Sequence, residues 1–256
     1  QVFIPGAGPG DFYKFEIKTK EGAVFLKPDP FATASEPLPG RASIVTGIVH
    51  RPWQDGLWTT RRRDAVIRER GLRTCLVPWA ASAAPAWPEA AIAAGVAFVE
   101  PVLGLDEAGD GTALGLFTHS TGAMVTEGEP AWVEACHAAG VGVVLAAPDD
   151  SFPAEAADLA WFDGTQLLER ADAQDASLCF DLDRGEVRSI LLSAALFRLQ
   201  CWHADALAGP GATLQALQRL PTETLSGSRL IIRDPLPEAS LSEREIRRIV
   251  LGRYDD

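Results

Sequence analysis

Two short stretches hold side chains whose types and spacing could support chemistry. Asp149 and Asp150 follow the apolar run "VGVVLAAP", and "CWHADALAGP" places His203 two residues before Asp205. Sites in parallel sheets lie beyond the carboxyl ends of strands, so the two adjacent carboxylates could bind a cation or polarise a hydroxyl. A solvated acidic turn is the alternative for that pair. His203 could equally cap the helix before it, where a cation is favoured.

The cysteines and the other histidines show no metal-ligand spacing. No C-x-x-C is present, and His50, His119 and His137 are isolated, with His137 on a predicted helix face where a structural role is expected. We therefore predict no metal and no cofactor, and we expect reduced thiols in a cytoplasmic protein. The cysteines are Cys75, Cys136, Cys179 and Cys201.

The acidic composition argues against two classes of partner. The 256 residues carry a formal net charge of −12, and such a surface repels nucleic acid and anionic lipid. With 47% hydrophobic residues the chain can bury one large core or two modest ones. No apolar run is long enough to span a membrane. The chain has one methionine, Met124, so we expect a processed start or a fragment.

Residues 1–52 are predicted to form a β unit. In "FYKFEIKTK" the side chains of Tyr13, Phe15 and Ile17 alternate with polar ones, which is typical of a half-buried strand. "EG" favours a hairpin turn into "AVFLKPDP", and "RASIVTGIV" favours another strand. Two to four strands do not close a sandwich. We therefore expect an incomplete N-terminal β-sandwich.

Residues 53–256 alternate predicted strands with helices, which is typical of an α/β domain with a parallel sheet. About five strands are expected, whereas a complete (β/α)8 barrel has eight, so the domain is either an open sheet or a truncated barrel. The predicted strands are 74–80, 96–104, 141–148 and 228–235, and the main predicted helices are 129–140, 186–203 and 242–252.

Several longer segments resemble a known family. They are "FIPGAGPGDFYKFEI", "GAVFLKPDPFA", "RPWQDGLW", "WVEACHAAGVGVVLAAPDDSFP", "LAWFDGTQLLERAD" and "GEVRSILLSAALFRLQCWHADAL". These segments are similar to segments of bacterial glycogen (1,4-α-glucan) branching enzymes, which belong to the α-amylase clan, glycoside hydrolase family 13. They also occur in the same order as in those enzymes. The resemblance runs to about residue 210. It implies the end of a β-sandwich glucan-binding module, a linker and part of a (β/α) barrel.

The resemblance implies retaining glycoside chemistry, in which an aspartate attacks the anomeric carbon and a glutamate protonates the leaving oxygen. In this chain the nucleophile position is Pro210 and the neighbouring arginine position is Ala208. Proline has no lone pair to attack the sugar carbon. Beyond residue 210 the resemblance is weakest, and there it places Asp234 at the acid/base position. We therefore predict no catalytic residue, and Asp205 and Asp234 are the weak candidates.

The sugar-binding positions that the resemblance implies are changed as well. A family aspartate and histidine become Ala146 and Ser151, and the stacking aromatic residue falls near Gly111. His203 and Asp205 do match the family and could be a retained sugar-binding pair. The tryptophans of the linker offer flat faces on which sugar rings could stack. The predicted carbohydrate-binding residues are Trp53, Trp58, His203, Asp205 and Asp149.

The first hypothesis is a branching-enzyme-like protein without intact catalytic residues, which binds α-glucan or a protein partner in glycogen metabolism. An open sheet edge needs another chain to cover it, so a homo- or hetero-oligomer is expected. The alternative is an active branching enzyme or glucan hydrolase with relocated carboxylates, namely Asp149, Asp205 and Asp234. Two of these should then lie about 5–5.5 Å apart. A purely structural fragment is the third hypothesis.

Overall fold

The computed structural model describes residues 4–36, 40–46, 52–62, 74–78, 92–93, 95–102, 117, 128–148, 150–154, 156, 158–170, 177–208, 230–232 and 247–249. The chain divides into two compact units. The first unit contains Gln1–Arg51, Leu105–Thr126 and Asp150–Leu191, and the second contains Pro52–Gly104, Glu127–Asp149 and Leu192–Asp256. The first unit therefore includes two segments that follow the predicted boundary at residue 52.

The described elements follow one another along the chain as mostly short strands and two long helices. The strands are β1 Phe12–Tyr13, β2 Phe15–Lys18, β3 Val24–Lys27, β4 Ser43–Ile44, β5 Thr74–Pro78, β6 Phe98–Val102, β7 Gly142–Ala146, β8 Ser151–Pro153, β9 Ser177–Cys179, β10 Ala206–Ala208, β11 Leu230–Ile232 and β12 Arg247–Ile249. The helices are α1 Gly128–Ala138 and α2 Gly185–Gln200, and Trp58–Arg62 form a π-helical turn.

The first unit contains the predicted hairpin. β2 and β3 pair antiparallel, and the turn is closed by the Thr19 amide, which donates to the Ala23 carbonyl at 2.8 Å. Gly22 lies in this turn with a φ of 89°, a left-handed conformation that favours glycine. β1 pairs antiparallel with β4. The antiparallel pairing of β8 with β9 was not predicted from the sequence.

The second unit is built on a parallel sheet, as predicted. Its strand order is β10-β7-β6-β5, and the three adjacent pairs are all parallel. Val143, Leu145 and Leu207 are at most 1% exposed. Strands covered on both faces are expected to be continuously apolar, which explains the "VGVVLA" run.

Helix α1 ends as its sequence predicts. Gly140 has a φ of 79°, and its amide donates to the His137 carbonyl at 3.0 Å while the Val141 amide donates to the Cys136 carbonyl at 2.9 Å. This pair of bonds is a Schellman motif. The chain then enters β7 two residues later, so the motif directs β7 out of the end of α1.

The C-terminal helix prediction is wrong where the structure describes it. The capping pattern of Ser242 and Glu245 favours a helix over 242–252, but Arg247–Ile249 form β12, which pairs antiparallel with β11. β11 lies at a predicted strand, yet it pairs with β12 in a two-stranded sheet instead of joining the parallel sheet. Strand pairing can override local helix propensity, and Ile249 is β-branched and suits a strand.

None of the described helices is long and apolar enough to cross a lipid bilayer.

Gly142 is required by the close packing at the start of β7. A Cβ atom there would lie 2.5 Å from Phe98 Cδ1 and 3.0 Å from Asp205 Oδ2. We expect Gly142→Ala to lower the free energy of unfolding by about 1–3 kcal/mol, as overpacking does, measured by urea denaturation. Gly185→Ala is the control, since the nearest atom to its added Cβ is Arg188 Nη2 at 3.8 Å. Equal stability of the two variants would contradict this prediction.

Candidate functional site

Four of the predicted carbohydrate-binding or catalytic residues come together in the second unit. Trp53 and Trp58 lie in or beside the turn that opens the unit, and His203 and Asp205 lie between α2 and β10. The other predicted positions, Asp149, Asp234, Pro210 and Gly111, lie outside the described residues.

Asp205 is the centre of a buried group of hydrogen bonds. Its side chain is 2% exposed, and its Oδ1 accepts a bond from Trp58 Nε1 at 2.8 Å. Its Oδ2 accepts bonds from the Val143 amide at 2.8 Å and from His137 Nε2 at 3.0 Å. Three donors from three elements therefore converge on one carboxylate, and its oxygens are engaged inside the protein.

His137 connects this carboxylate to a second one. Its Nδ1 lies 2.8 Å from Asp55 Oδ2, and its ring stacks on Trp58 with centroids 5.2 Å apart. Ionised carboxylates only accept hydrogen bonds, whereas a neutral imidazole has one N–H. Bonding to both Asp55 and Asp205 therefore requires His137 to be an imidazolium.

The outer end of the group consists of His203 and Trp53. His203 Nδ1 lies 2.8 Å from Asp55 Oδ2, and the His203 ring stacks on Trp53 with centroids 4.0 Å apart and planes inclined by 12°. The side chain of His203 is 24% exposed, and its backbone has a φ of 52°. We name Asp55, His137, His203 and Asp205 the Asp–His cluster.

In the Asp–His cluster, His137 and Asp55 each stabilise the charged form of the other. Burial alone would lower the pKa of His137, but hydrogen bonds to Asp205 and Asp55 outweigh it and raise that pKa to about 9. Burial alone would raise the pKa of Asp55, but hydrogen bonds from His137 and His203 outweigh it and hold that pKa well below its usual range. At neutral pH the buried imidazolium therefore sits between two carboxylates.

The Asp–His cluster is suited to holding elements together and poorly suited to attacking a sugar. Asp205 and Asp55 are 2% and 6% exposed, so neither presents a carboxylate to a substrate. Burial, and then the neighbouring Asp205, raise the pKa of the Cys136 thiol, which keeps it protonated. The indole of Trp58 is also 2% exposed, whereas Trp53 is partly exposed.

The carboxyl ends of the neighbouring strands β7 and β10 carry methyl groups. Ala146 ends β7, Ala208 ends β10, and the two residues are register partners. The Ala147 amide donates to the Ala208 carbonyl at 2.9 Å, which continues the pairing beyond β7. Ser151 opens β8 and is exposed. In the part of the chain that the structure describes, no group of three or more His, Cys, Asp or Glu side chains is arranged to hold a metal ion.

Sequence analysis missed Asp55 and anticipated only a structural role for His137. Asp55 stands between two tryptophans in "WQDGLW", and a buried acid among aromatic residues needs a partner. His137 lies on the buried side of α1 beside Cys136. The sequence shows the aromatic neighbours of Asp55 and the helix position of His137, but it shows neither their burial nor their partners.

Solved structures define the class of fold. A protein described as an alpha amylase of Salmonella typhimurium matches with a TM-score of 0.65 and 18% identity, over 90% of this chain and 41% of that one. A pullulanase of Paenibacillus barengoltzii, solved with maltohexaose and alpha-cyclodextrin, matches with a TM-score of 0.59 and 12% identity, over 92% and 45% of the two chains. The chain therefore has part of an α-amylase-like fold.

Sequence comparison narrows the relationship to branching enzymes. No protein-family model matches the chain. The 1,4-alpha-glucan branching enzyme GlgB of Rubrobacter xylanophilus is 33% identical over 242 positions, covering 81% of this chain and 32% of the enzyme. Its counterpart in Bordetella pertussis is 33% identical over 239 positions, with coverages of 81% and 31%. The chain is thus a distant homologue of these enzymes and spans about a third of their length.

Removal of the Asp205 carboxylate should strongly destabilise the second unit. Asp205→Ala leaves the His137 imidazolium, the Trp58 indole and the Val143 amide without their acceptor. Breaking a buried ion pair costs about 3–5 kcal/mol, and we expect a loss of that size in urea denaturation. The control is Asp181→Ala, because Asp181 forms a partly exposed ion pair with Arg184 that contributes at most about 1 kcal/mol. Similar losses in both variants would contradict a central role for Asp205.

Stability should fall on the alkaline side of neutrality. The folded-state pKa of His137 is about 9, compared with an ordinary value of 6.5. Its contribution is therefore complete below pH 6.5 and is lost as the pH rises through 9, by about 3 kcal/mol. The pKa of Asp55 is lowered instead of raised. Its contribution to the free energy of unfolding is therefore lost as the pH falls, and only at strongly acid pH. Urea midpoints from pH 6 to 10 test this, and His137→Gln should flatten the alkaline decline.

Proposed function

We propose that this chain is a branching-enzyme-like protein that binds α-glucan and does not itself transfer glycosyl units. The observation that carries this proposal is the pairing of Ala146 with Ala208 at the carboxyl ends of β7 and β10. Parallel sheets build their sites at these ends, and retaining chemistry needs two carboxyl groups there. Methyl groups cannot attack a sugar or transfer a proton.

The burial of Asp205 supports the same proposal. As a nucleophile or acid, Asp205 would have to leave the bonds from Trp58, His137 and Val143. An active enzyme with relocated carboxylates would then depend on Asp149 and Asp234. The alternative function is therefore an enzyme whose catalytic carboxylates are Asp149 and Asp234, without Asp205.

Trp53 is the best candidate for contact with glucan. It is partly exposed, and its indole is held in place by stacking on His203, so little side-chain freedom would be lost on binding. A neutral polysaccharide also suits a chain with a net charge of −12, because it is not repelled as an anion would be. Three cysteines, Cys136, Cys179 and Cys201, are free, which is compatible with a cytoplasmic location near glycogen.

Two assays on the purified full chain test the proposal. Iodine staining of amylose should show no branching, and affinity electrophoresis in gels containing glycogen should show retarded migration. Trp53→Ala should weaken the retardation about fivefold, the size of one stacking contact of roughly 1 kcal/mol. The matched control is Trp161→Ala, which removes a tryptophan that is 47% exposed in the first unit.

Each assay has an outcome that overturns part of the proposal. Branching activity that disappears in Asp149→Asn or Asp234→Asn would establish the enzyme with relocated carboxylates. Migration that glycogen does not change, in a protein that melts cooperatively, would exclude glucan binding and favour a protein partner. If Trp161→Ala reduced the retardation and Trp53→Ala did not, glucan binding would stand, but its site would lie in the first unit.

A further inference from the structure

His203 is held in one orientation by two contacts. Its Nδ1 lies 2.8 Å from Asp55 Oδ2, and its ring stacks on Trp53 with the two planes inclined by 12°. Its backbone φ of 52° is uncommon for a residue with a side chain, and such conformations persist only where the surrounding structure fixes them. The imidazole therefore has a defined position at the outer end of the Asp–His cluster.

Asp55 determines which ring nitrogen of His203 carries a proton. Burial alone would raise the pKa of Asp55, but the hydrogen bonds from His137 and His203 outweigh it and hold that pKa well below its usual range. The carboxylate is therefore ionised and can only accept hydrogen bonds, so His203 Nδ1 must be the donor. A neutral imidazole has a single N–H, which leaves a lone pair on Nε2 of neutral His203.

The Nε2 atom of His203 is open to a ligand. The side chain of His203 is 24% exposed, whereas those of Asp55 and His137 are 2% and 0% exposed. His203 makes no other hydrogen bond in the part of the chain that the structure describes, and its Nε2 is not among the buried polar atoms there that lack a partner. A ligand can therefore approach His203 from outside, but it cannot reach Asp55.

We propose that His203 Nε2 accepts a hydrogen bond from a sugar hydroxyl, and that Asp55 is the positioning residue that fixes the required tautomer. This inference rests on the proposed binding of α-glucan at Trp53. Binding sites combine apolar surface with a few precisely placed polar groups, and the indole of Trp53 has no acceptor for a hydroxyl. His203 supplies that acceptor next to the indole.

The geometry of the stack sets the minimum length of the ligand. The ring centroids of Trp53 and His203 are 4.0 Å apart, and a sugar in contact with the opposite face of the indole would lie about 4 Å beyond it. That sugar is then about 8 Å from the imidazole, too far for its own hydroxyls to bond to Nε2. A neighbouring glucose unit of the same chain can reach Nε2. The ligand is therefore a chain of at least two glucose units and not a single sugar.

Nitrogen NMR of the isotope-labelled full chain tests both the tautomer and the contact. At pH 8, where unperturbed histidine side chains are neutral, His203 should show a protonated Nδ1 and an unprotonated Nε2. Its signals are assigned by their loss in His203→Asn or His203→Gln. His137, whose pKa is about 9, should be protonated on both nitrogens. Addition of maltoheptaose should shift the Nε2 resonance of His203 and leave those of His137 unchanged.

His203→Asn removes the outward acceptor and retains a donor to Asp55. The asparagine amide can donate to Asp55 in place of Nδ1, and asparagine tolerates a left-handed backbone, but it has no atom at the position of Nε2. Retardation by glycogen should weaken about fivefold, the size of one typical hydrogen bond. The control is Asp181→Asn, which alters a carboxylate that pairs with Arg184 in the first unit and should migrate as the wild type does.

The possible outcomes separate this inference from the proposed function. If glycogen retards the wild type but maltoheptaose does not shift the Nε2 resonance of His203, the contact is overturned and glucan binding stands. A proton on Nε2 and none on Nδ1 at pH 8 would overturn the role of Asp55, whatever the protein binds. If glycogen does not retard the wild type, the proposed function is overturned, and this inference with it.

Discussion

The structure of the second unit depends on one buried carboxylate. Asp205 accepts hydrogen bonds from Trp58, from His137 and from the Val143 amide, and these donors belong to the opening segment, to α1 and to β7. An isolated buried charge is strongly unfavourable, so the three elements are held at positions where they compensate it. The absence of a side chain at Gly142 is part of the same arrangement, because Asp205 Oδ2 occupies the space a Cβ would approach.

The two ends of the parallel sheet carry different kinds of side chain. Polar side chains at the amino-terminal side of β7 and β10 hold the sheet to its surroundings, while Ala146 and Ala208 occupy the carboxyl ends. The residues of the Asp–His cluster lie in "RPWQDGLW", "WVEACHAAG" and "CWHADAL", which are segments that carry the resemblance to branching enzymes. These similar segments therefore contain residues that pack the framework of the second unit.

Sequence patterns predicted the larger elements and missed their connections. The apolar runs of β5, β6 and β7, and the end of α1 at Gly140, follow from local periodicity and turn chemistry. β8, β9 and β12 are three residues each, too short for a period to be recognised, and the capping pattern at Ser242 predicted a helix in place of β12. The Asp–His cluster joins residues 82 and 68 positions apart, so no local pattern could have paired them.

Apolar packing often gives a protein as much stability as a buried ion pair. The register of β10 along β7 explains why Asp205 and His137 form an ion pair here. The Asp205 amide donates to the Val143 carbonyl at 2.9 Å, and the Asp205 side chain accepts from the amide of the same residue at 2.8 Å. β10 is three residues long, and its apolar side chains would tolerate a shift along β7. A shift by one residue would turn each side chain to the opposite face and remove the Asp205 carboxylate from all three donors. The buried charge thus specifies one alignment of β10 among several that apolar contacts alone would allow.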